Sequence, residues 1–389
     1  MSPTAPLPYR SPWMNEELDD LRTLARRFCE DELVAHIDRF HEQHAVDREV
    51  WTKAGELGLL GLSIPEEYGG GGGTFAHEAV VALEQARAGD DSWGFVVHSI
   101  IVMHYVLAYG TEEQKKRWLP KMCTGEMVGA VAMTEPGAGS DLKRVRTRAV
   151  RDGDDFVVNG SKTFITNAGH ADLIVVVART GERDPKAGHK GISLLVVETD
   201  GLEGFERGRV LQKIGQHGQD TRELHFTDMR VPVENVLGEE GRGFYHLMEQ
   251  LPQERLGLAC TAVGSAELAI ELGVEHAKSR EMFDGVLMDL QNTRFVLAEC
   301  STDVLAARTL LDHCIGLHVN GDLDSATASR AKFWTTDVQC NVIDRVLQLF
   351  GGYGFMSEYP IAKMYAGARI QKIYGGANEV MKELVARSL

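Results

Sequence analysis

Apolar residues recur at helical spacing over roughly the first third of the chain. From Asn15 to Phe28, leucines and an alanine lie three or four positions apart, and two glutamates follow Asn15 where they favour a helix amino end. Further stretches with this period cover residues 75–88 and 95–109. The pattern predicts a mainly helical domain over residues 1–128.

Short β-rich runs replace this pattern in the middle of the chain. Residues 173–178, 192–197 and 223–226 are β-branched or alternate between apolar and polar positions. The Asn159-Gly160 pair lies between two further β-rich runs, and this dipeptide favours the tight turn of a β-hairpin. We therefore predict a β domain over residues 129–236, with one hairpin turn at Asn159-Gly160.

Helical spacing returns in the last part of the chain. Val342, Val346 and Phe350 recur at this spacing, and the Gly351-Gly352 pair directly after them is typical of a helix end. The pattern predicts a second helical domain over residues 237–389.

Composition and charge narrow the classes of protein that remain. Of the 389 residues, 43% are hydrophobic and 25% charged, an ordinary mixture for a globular protein. The formal net charge of −16 disfavours nucleic acid as a ligand. No apolar run reaches the length of about 18 residues that is typical of a transmembrane helix, so we expect no integral membrane segment. We expect a cytoplasmic protein, or a mitochondrial matrix protein whose presequence is missing from this chain.

Common ligand motifs are incomplete in this sequence. The six cysteines lie far apart without zinc-like spacing, so we expect reduced thiols and no metal site. The Gly69–Gly73 run lacks the Lys-Ser/Thr of a P-loop and is interpreted as a flexible connection. Small and hydroxyl residues in the loop Met133–Asp141 would let a flat ring or a pyrophosphate approach the backbone, but Leu142 breaks the G-x-G-x-x-G pattern. Taken alone, this loop is equally compatible with a plain surface loop.

A series of motifs occurs in one order along the chain. They read M-T-E-P-G-A-G-S-D-L, N-G-S-K-T-F-I-T-N, L-P-Q-E-R-L, R-E-M-F, Q-L-F-G-G-Y-G-F, Y-P-I-A-K and I-Y-G-G-A-N-E. In order and spacing they resemble the acyl-CoA dehydrogenase family over nearly the whole chain, and L-P-Q-E-R-L with the tail Y-G-G-A-N-E-V-M-K-E-L is most similar to its long-chain branch. The resemblance implies a helical N-terminal domain, a β-barrel-like middle domain and a C-terminal four-helix bundle. It also implies a homotetramer with one FAD per subunit.

The resemblance assigns two groups of residues to FAD. Those expected to flank the flavin ring are Met133, Thr134, Gly139, Ser140, Phe164, Ile165 and Thr166. Those expected to bind FAD across a subunit boundary are Arg280, Phe283, Gln291, Gln348, Gly351, Gly352, Ala377, Asn378 and Glu379. The planar guanidinium of Arg280 suits a pyrophosphate. Considered one at a time, these residues are also consistent with ordinary roles: a helix-surface charge for Arg280, a solvated helix residue for Gln348 and strand packing for Phe164.

Glu254 is the predicted catalytic base. Gly375 occupies the position where many members of the family carry their catalytic glutamate, and the branches with runs like L-P-Q-E-R-L place the base at the position of Glu254. An ordinary glutamate has a pKa of about 4.3, so its site must raise that pKa by desolvation and acidify the substrate proton by hydrogen bonds to the thioester carbonyl. The resemblance assigns those bonds to a backbone N–H near Gly375 and to a flavin ribitol hydroxyl. The alternative is a surface carboxylate paired with Arg255 or Arg242.

The resemblance also assigns a path for the acyl-CoA. The residues expected to line the thioester, the pantetheine or the CoA end are Ser140, His189, Lys190, Tyr245, Pro252, Gln253, Arg255, Gly375 and Gly376.

The implied reaction is α,β-dehydrogenation of an acyl-CoA, with a long or branched chain favoured, to a trans-2-enoyl-CoA. Glu254 would be the base and flavin N5 the hydride acceptor, and an electron-transfer flavoprotein would accept the electrons. One alternative is a flavin oxidase or monooxygenase on the same fold. A second alternative is an acyl-CoA-binding flavoprotein that has lost catalysis.

Three residues depart from the family pattern. Asp284 stands where glycine usually follows the phenylalanine of R-x-x-F-G, which would set a carboxylate near the FAD phosphates. Ala377 replaces a common threonine, so one cofactor hydrogen bond would be missing. Gly367 replaces an acidic residue, and nothing in the sequence explains that change.

Overall fold

The computed structural model describes residues 9–182 and 188–389. Helices form the amino-terminal part of the molecule, as the spacing of apolar residues predicts. They are α1 (Glu16–Phe28), α2 (Ile37–Gln43), α3 (Arg48–Glu56), α4 (Phe75–Ala88), α5 (Met103–Tyr109) and α6 (Glu112–Cys123).

Local sequence chemistry explains where these helices begin. The side chain of Asn15 accepts a hydrogen bond from the backbone N–H of Leu18 at 2.9 Å, which caps α1. Thr111 and Gln114 form a reciprocal capping box at the start of α6. Because Leu18 and Phe28 point to the same buried face, α1 packs against α4 in the main hydrophobic core.

The predicted helix over residues 95–109 contains a wider turn. Val96–Val102 forms a π-helical segment that continues directly into α5. Its residues Ile100 and Val102 are fully buried. Such π-helical insertions are common near functional sites, and an apolar period of about 3.6 residues does not reveal them.

Strands form the middle of the molecule. They are β1 (Gly129–Ala132), β2 (Arg148–Asp152), β3 (Asp155–Thr166), β4 (Leu173–Arg179), β5 (Ile192–Glu198), β6 (Phe205–Val210), β7 (Thr221–Pro232) and β8 (Val236–Leu237). They pair in the order β6-β7-β3-β2-β4-β5-β8, and β1 pairs in parallel with β4. Every residue of β4 is buried, which explains its nearly continuous apolar sequence.

The prediction of a hairpin turn at Asn159-Gly160 is wrong. Both residues lie inside the continuous strand β3, and Asn159 pairs with Arg148 of β2. The turn of this hairpin lies instead at Gly153, since Asp152 pairs with Asp155. Gly160 is required for another reason, because a Cβ atom there would lie 2.6 Å from Thr147 Oγ1.

Long helices form the carboxy-terminal part. They are α7 (Gly243–Ser279), α8 (Gln291–Val319) and α9 (Ser325–Phe350), followed by the short helices α10 (Pro360–Ala368) and α11 (Asn378–Ala386). A small hairpin of β9 (Glu281–Met282) and β10 (Gly285–Val286) connects α7 to α8. Because α7 packs against α8, α9 and also α4, one hydrophobic core is shared between the two helical parts.

Helix α7 is the only helix of the described residues that is long and apolar enough to cross a membrane. Of its most apolar 18-residue window, 61% is buried inside the protein. This degree of burial is typical of a central core helix, which passes the same test of length and composition.

Asn167 connects the sheet to the helical layer. Its side-chain amide donates to the carbonyl of Gly94 at 3.1 Å, ahead of the π-helical segment, and to that of Gly129 at 3.2 Å, in β1. The residue is 2% exposed and has a left-handed φ of 64°, a conformation that asparagine tolerates better than most residues. The sheet edge next to Thr166 is thereby held against the helices.

We predict that Asn167→Ala lowers the free energy of unfolding by about 1–3 kcal/mol, because buried carbonyls lose their donor. Urea unfolding followed by circular dichroism measures this change. Asn167→Gly is the matched control, since it removes the same amide but tolerates the left-handed backbone. Equal stability of Asn167→Ala and the parent would contradict the predicted role of the amide.

Candidate active site

Glu254 lies in the middle of α7 and is 5% exposed. Burial raises the pKa of its carboxyl group to about 7, although a hydrogen bond from Tyr105 and the charge of Arg255 act in the opposite direction. The phenol of Tyr105 donates to Glu254 Oε1 at 2.6 Å. A buried carboxylate with a pKa near neutrality has the properties of a general base.

Arg255 does not pair with Glu254 as a surface ion pair would. Its guanidinium Nη1 donates to Ser325 Oγ at 3.1 Å and to Ser329 Oγ at 3.3 Å, both on α9. Arg242, the other partner considered for Glu254, stacks on the ring of Tyr245 with 4.2 Å between the guanidinium carbon and the ring centroid. The alternative of a surface carboxylate is therefore wrong.

Gly375 lies beside the face of α7 that carries Glu254. A Cβ atom on Gly375 would overlap Cδ1 of Leu258, which follows Glu254 by one helical turn. Gly375 and Gly376 also have left-handed φ values of 61° and 96°. The glycine is therefore required both by the backbone and by Leu258, and a glutamate at position 375 would not fit this packing.

A fully buried lysine holds the glycine turn. Lys332 on α9 donates to the carbonyl of Gly376 at 2.7 Å and to Asn378 Oδ1 at 3.0 Å. Burial and the nearby charge of Arg255 lower the pKa of its ammonium group to about 8. The amide of Asn378 donates to the Phe333 carbonyl and to side chains of α9, so it is engaged within the chain. Sequence reasoning missed Lys332, because a lysine in a helix is usually exposed.

The two segments expected to flank a flavin lie side by side. The backbone N–H of Thr163 donates to the Thr134 carbonyl at 2.9 Å. Lys162 donates to the Met133 carbonyl at 3.1 Å and forms a buried ion pair with Glu135 at 2.9 Å. Residues that are distant in sequence are thus brought to one end of the sheet.

The side chains of these residues point in different directions. Ile165 is 2% exposed and packs in the sheet core, whereas Phe164 has a left-handed φ of 61° and is 68% exposed. Gly139 and Ser140 are exposed, and no atom lies within 4 Å of a Cβ built on Gly139. An exposed phenyl ring and an open glycine backbone at one end of the sheet fit a flat aromatic group such as the flavin of FAD.

A cleft of about 750 Å³ lies where α7 ends, α8 begins and α9 ends. Its lining brings together four of the residues expected to bind FAD, namely Arg280, Gln348, Gly351 and Gly352. The guanidinium of Arg280 lies 5.5 Å from the centroid of the Tyr353 ring. This open cleft with a cation at its rim fits the phosphate-bearing part of a dinucleotide.

Other expected FAD residues lie outside this lining. Gln291 begins α8, and its neighbours Asn292 and Thr293 line the cleft in its place. Phe283 is 83% exposed in the turn between β9 and β10. Ala377 caps α11 and Glu379 is exposed in its first turn.

The departure at Asp284 has a visible backbone consequence. Phe283 and Asp284 both have positive φ, 46° and 65°, in the turn between β9 and β10. This conformation favours glycine, the residue that the family pattern carries at position 284. The carboxylate therefore replaces a residue that suits the turn better. Gly367 lies near Gln216 and Asp91, which does not explain the loss of an acidic residue.

Two of the residues expected to line the acyl-CoA path are in contact. His189 Nε2 and the Tyr245 hydroxyl are 3.1 Å apart, at the start of α7. The side chain of Lys190 is exposed nearby, and its carbonyl accepts a hydrogen bond from Arg179 at 2.8 Å. Pro252 lies half-buried inside α7, two residues before Glu254.

Gln253 has a packing role in this structure. Its amide donates to the carbonyl of Ile100 at 2.7 Å in the π-helical segment, and its Oε1 lies 2.9 Å from His318 Nε2. Both ends of the side chain are engaged within the chain. It therefore fixes α7 against the π-helical segment immediately beside Glu254.

The structure thus has a buried carboxylate suited to act as a general base, a glycine turn beside its helix, and an exposed face suited to a flat ring. The sequence matches the acyl-CoA dehydrogenase N-terminal, middle and C-terminal domains over residues 15–126, 130–229 and 241–389. The chain belongs to the acyl-CoA dehydrogenase family, whose members are FAD flavoproteins.

Three known proteins illustrate the similarity. The mitochondrial long-chain specific acyl-CoA dehydrogenase of Mus musculus is 46% identical over 96% of this chain and 87% of its own length. The crystal structure of an acyl-CoA dehydrogenase from Geobacillus kaustophilus is 45% identical, with a TM-score of 0.95 over 97% of this chain and 99% of that chain. A glutaryl-CoA dehydrogenase from Mycobacterium smegmatis, in complex with FADH2, is 26% identical, with a TM-score of 0.89 over 96% and 95%.

We predict that Gly375→Ala lowers the rate of flavin reduction by an acyl-CoA about tenfold or more, because the added methyl group displaces Leu258 or the turn beside the base. Combining it with Leu258→Ala should recover part of the rate. Stopped-flow absorbance under anaerobic conditions measures both.

Gly153→Ala is the control for this pair. Gly153 has a similar φ of 66°, but no atom lies within 4 Å of its added Cβ and it lies in the hairpin between β2 and β3. It should lose stability and keep its rate. A Gly375→Ala variant with the parent rate would show that this contact does not constrain the site.

Proposed function

We propose that this protein dehydrogenates the α,β-bond of an acyl-CoA thioester to a trans-2-enoyl-CoA, with Glu254 as the base. The observation that carries the proposal is the buried Glu254 carboxylate, since burial raises its pKa to about 7 and makes it a stronger base than an ordinary glutamate while part of it stays ionised at neutral pH. Its neighbour in space is a glycine turn with left-handed backbone, at Gly375 and Gly376.

Each step of the proposed reaction uses particular residues of the chain. Glu254 removes the proton from the α-carbon, and the charge left behind moves toward the thioester oxygen. A backbone N–H of the glycine turn at Gly375 would donate to that oxygen, and Lys332 holds the turn through the Gly376 carbonyl. When bound, FAD supplies the oxidant that takes the hydride from the β-carbon.

Binding of FAD would use both regions described above. The loop Met133–Ser140 and Phe164 would flank the ring, and Arg280 with Gln348 would contact the phosphate-bearing part. The resemblance places this second group on a neighbouring subunit, which supports a homotetramer. The high exposure of Phe283 (83%) and Phe355 (86%) in a single chain supports burial of this surface by another copy.

The similarity to the long-chain branch favours a long or branched acyl chain, with an electron-transfer flavoprotein as acceptor. The mouse relative is named as mitochondrial, and the cytoplasmic location remains our prediction for this chain. We propose domain boundaries near residues 128 and 236, where helices give way to strands and strands to α7.

The buried base argues against a protein that has only kept acyl-CoA binding. Burying a carboxylate costs folding free energy, and no ion pair in the described residues offsets that cost for Glu254, so its retention favours a functional role. For the oxidase alternative, reduced enzyme would lose its electrons rapidly to air without a flavoprotein acceptor.

We predict that kcat/KM rises with pH through an acid limb near pH 7, since protonated Glu254 cannot accept the substrate proton. Below this limb, the value should fall about tenfold per pH unit. Steady-state rates with an artificial electron acceptor, across a panel of straight and branched acyl-CoAs, measure the profile. A flat profile from pH 5 to about pH 9 would contradict a base with this pKa.

We predict that Glu254→Gln slows anaerobic flavin reduction by about 10²–10⁴-fold, the usual contribution of a general base. Glu249→Gln is the matched control, because Glu249 lies on the same helix but is exposed and bonds to Tyr109. Both variants should retain FAD. Reduction of Glu254→Gln at the rate of Glu249→Gln would disprove the assignment of the base.

A further inference from the structure

We propose that Tyr105 is a positioning residue that selects which oxygen of Glu254 takes the substrate proton. The inference rests on the proposed function, because it concerns the same base. It adds a residue that the family motifs in this sequence do not include.

The contact between the two side chains is short and buried. Tyr105 lies on α5 and is fully buried, and its hydroxyl donates to Glu254 Oε1 at 2.6 Å. This distance is typical of a hydroxyl that donates to an ionised oxygen, which is stronger than a bond between neutral groups. Tyr105 and Glu254 are 149 positions apart in sequence and lie on different helices, so the hydrogen bond is a tertiary contact.

The bond makes the two carboxylate oxygens unequal. Oε1 accepts the hydrogen bond of the phenol, whereas no residue that the structure describes donates a hydrogen bond to Oε2. The oxygen without a donor is the more basic one and is available to the α-carbon. The phenol also limits rotation of the carboxylate, so Oε2 keeps one direction relative to α7.

Few other charged groups act on this carboxylate. Arg255 on the same helix lowers the pKa of Glu254, and Tyr105 is the partner from α5. Lys332 from α9 interacts with Arg255. Tyr109, one turn after Tyr105, bonds to Glu249 at 2.8 Å and to the His246 carbonyl at 3.2 Å. The hydroxyl of Tyr105 is therefore the group whose removal changes Glu254 with the least change elsewhere.

A purely structural role predicts different behaviour. In that case the hydroxyl would only satisfy a buried carboxylate, and its loss would lower stability without moving the pH profile of the reaction. A positioning role predicts a change in the profile itself. Since the bond favours the ionised form, its loss must raise the pKa of Glu254 and move the acid limb to higher pH.

The test compares Tyr105→Phe with Tyr109→Phe as FAD-loaded protein, using the acyl-CoA that reduces the parent fastest. We expect Tyr105→Phe to shift the acid limb of the anaerobic reduction rate upward by about one pH unit, the scale of a hydrogen bond to a charged group. Its rate at pH 7 should fall about fivefold, because the ionised fraction of Glu254 falls from about one half to about one tenth, and should recover at higher pH. Tyr109→Phe should retain the parent profile.

A second substitution keeps the test decisive if Tyr105→Phe is poorly folded. Site-specific replacement of Tyr105 by 3-fluorotyrosine keeps the shape and makes the phenol a stronger donor, so the limb should move to lower pH. An unchanged limb in the folded variants would overturn the positioning role, whatever their thermal stability. If neither the parent nor Tyr109→Phe is reduced by any acyl-CoA of the panel, the proposed function itself fails.

Discussion

The burial of one carboxylate inside α7 is the constraint on which the rest of the site depends. A charge removed from water is costly, and Glu254 meets that cost partly by a raised pKa and partly by the bond from Tyr105. A base of ordinary pKa would be too weak for the α-proton of a thioester, so the same burial that opposes folding supports the chemistry. The helix packs against α4, α8 and α9, and this packing keeps Glu254 away from solvent.

Buried polar side chains around Glu254 hold its helix in one position. Gln253 and Arg255 flank Glu254 in sequence, and they connect α7 to the π-helical segment and to α9, respectively. Lys332, also on α9, holds the turn at Gly376. Each anchor is a buried polar group with partners, an arrangement that fixes geometry more than it adds net stability.

Periodicity was enough to predict the order of helical, β and helical parts, because the 3.6-residue and 2-residue patterns are strong in this chain. It failed at Asn159-Gly160, where the glycine serves a close contact with Thr147 instead of a turn. Periodicity also does not show that the Asn378 amide donates hydrogen bonds to α9. Nor does it show that Ile165 faces the core while the neighbouring Phe164 is exposed. Such side-chain directions depend on packing between segments far apart in sequence.

Motifs in a fixed order identify the family and the sequence of helical, β and helical parts from residue types alone, and they single out Glu254 as the candidate base. The packing of distant segments explains why position 375 is glycine and which groups surround Glu254. Leu258, Tyr105 and Lys332 belong to helices whose apolar patterns look ordinary, and their roles appear when those helices meet. The physical reason is that a pKa and a steric limit are properties of a neighbourhood in space, which no single stretch of sequence contains.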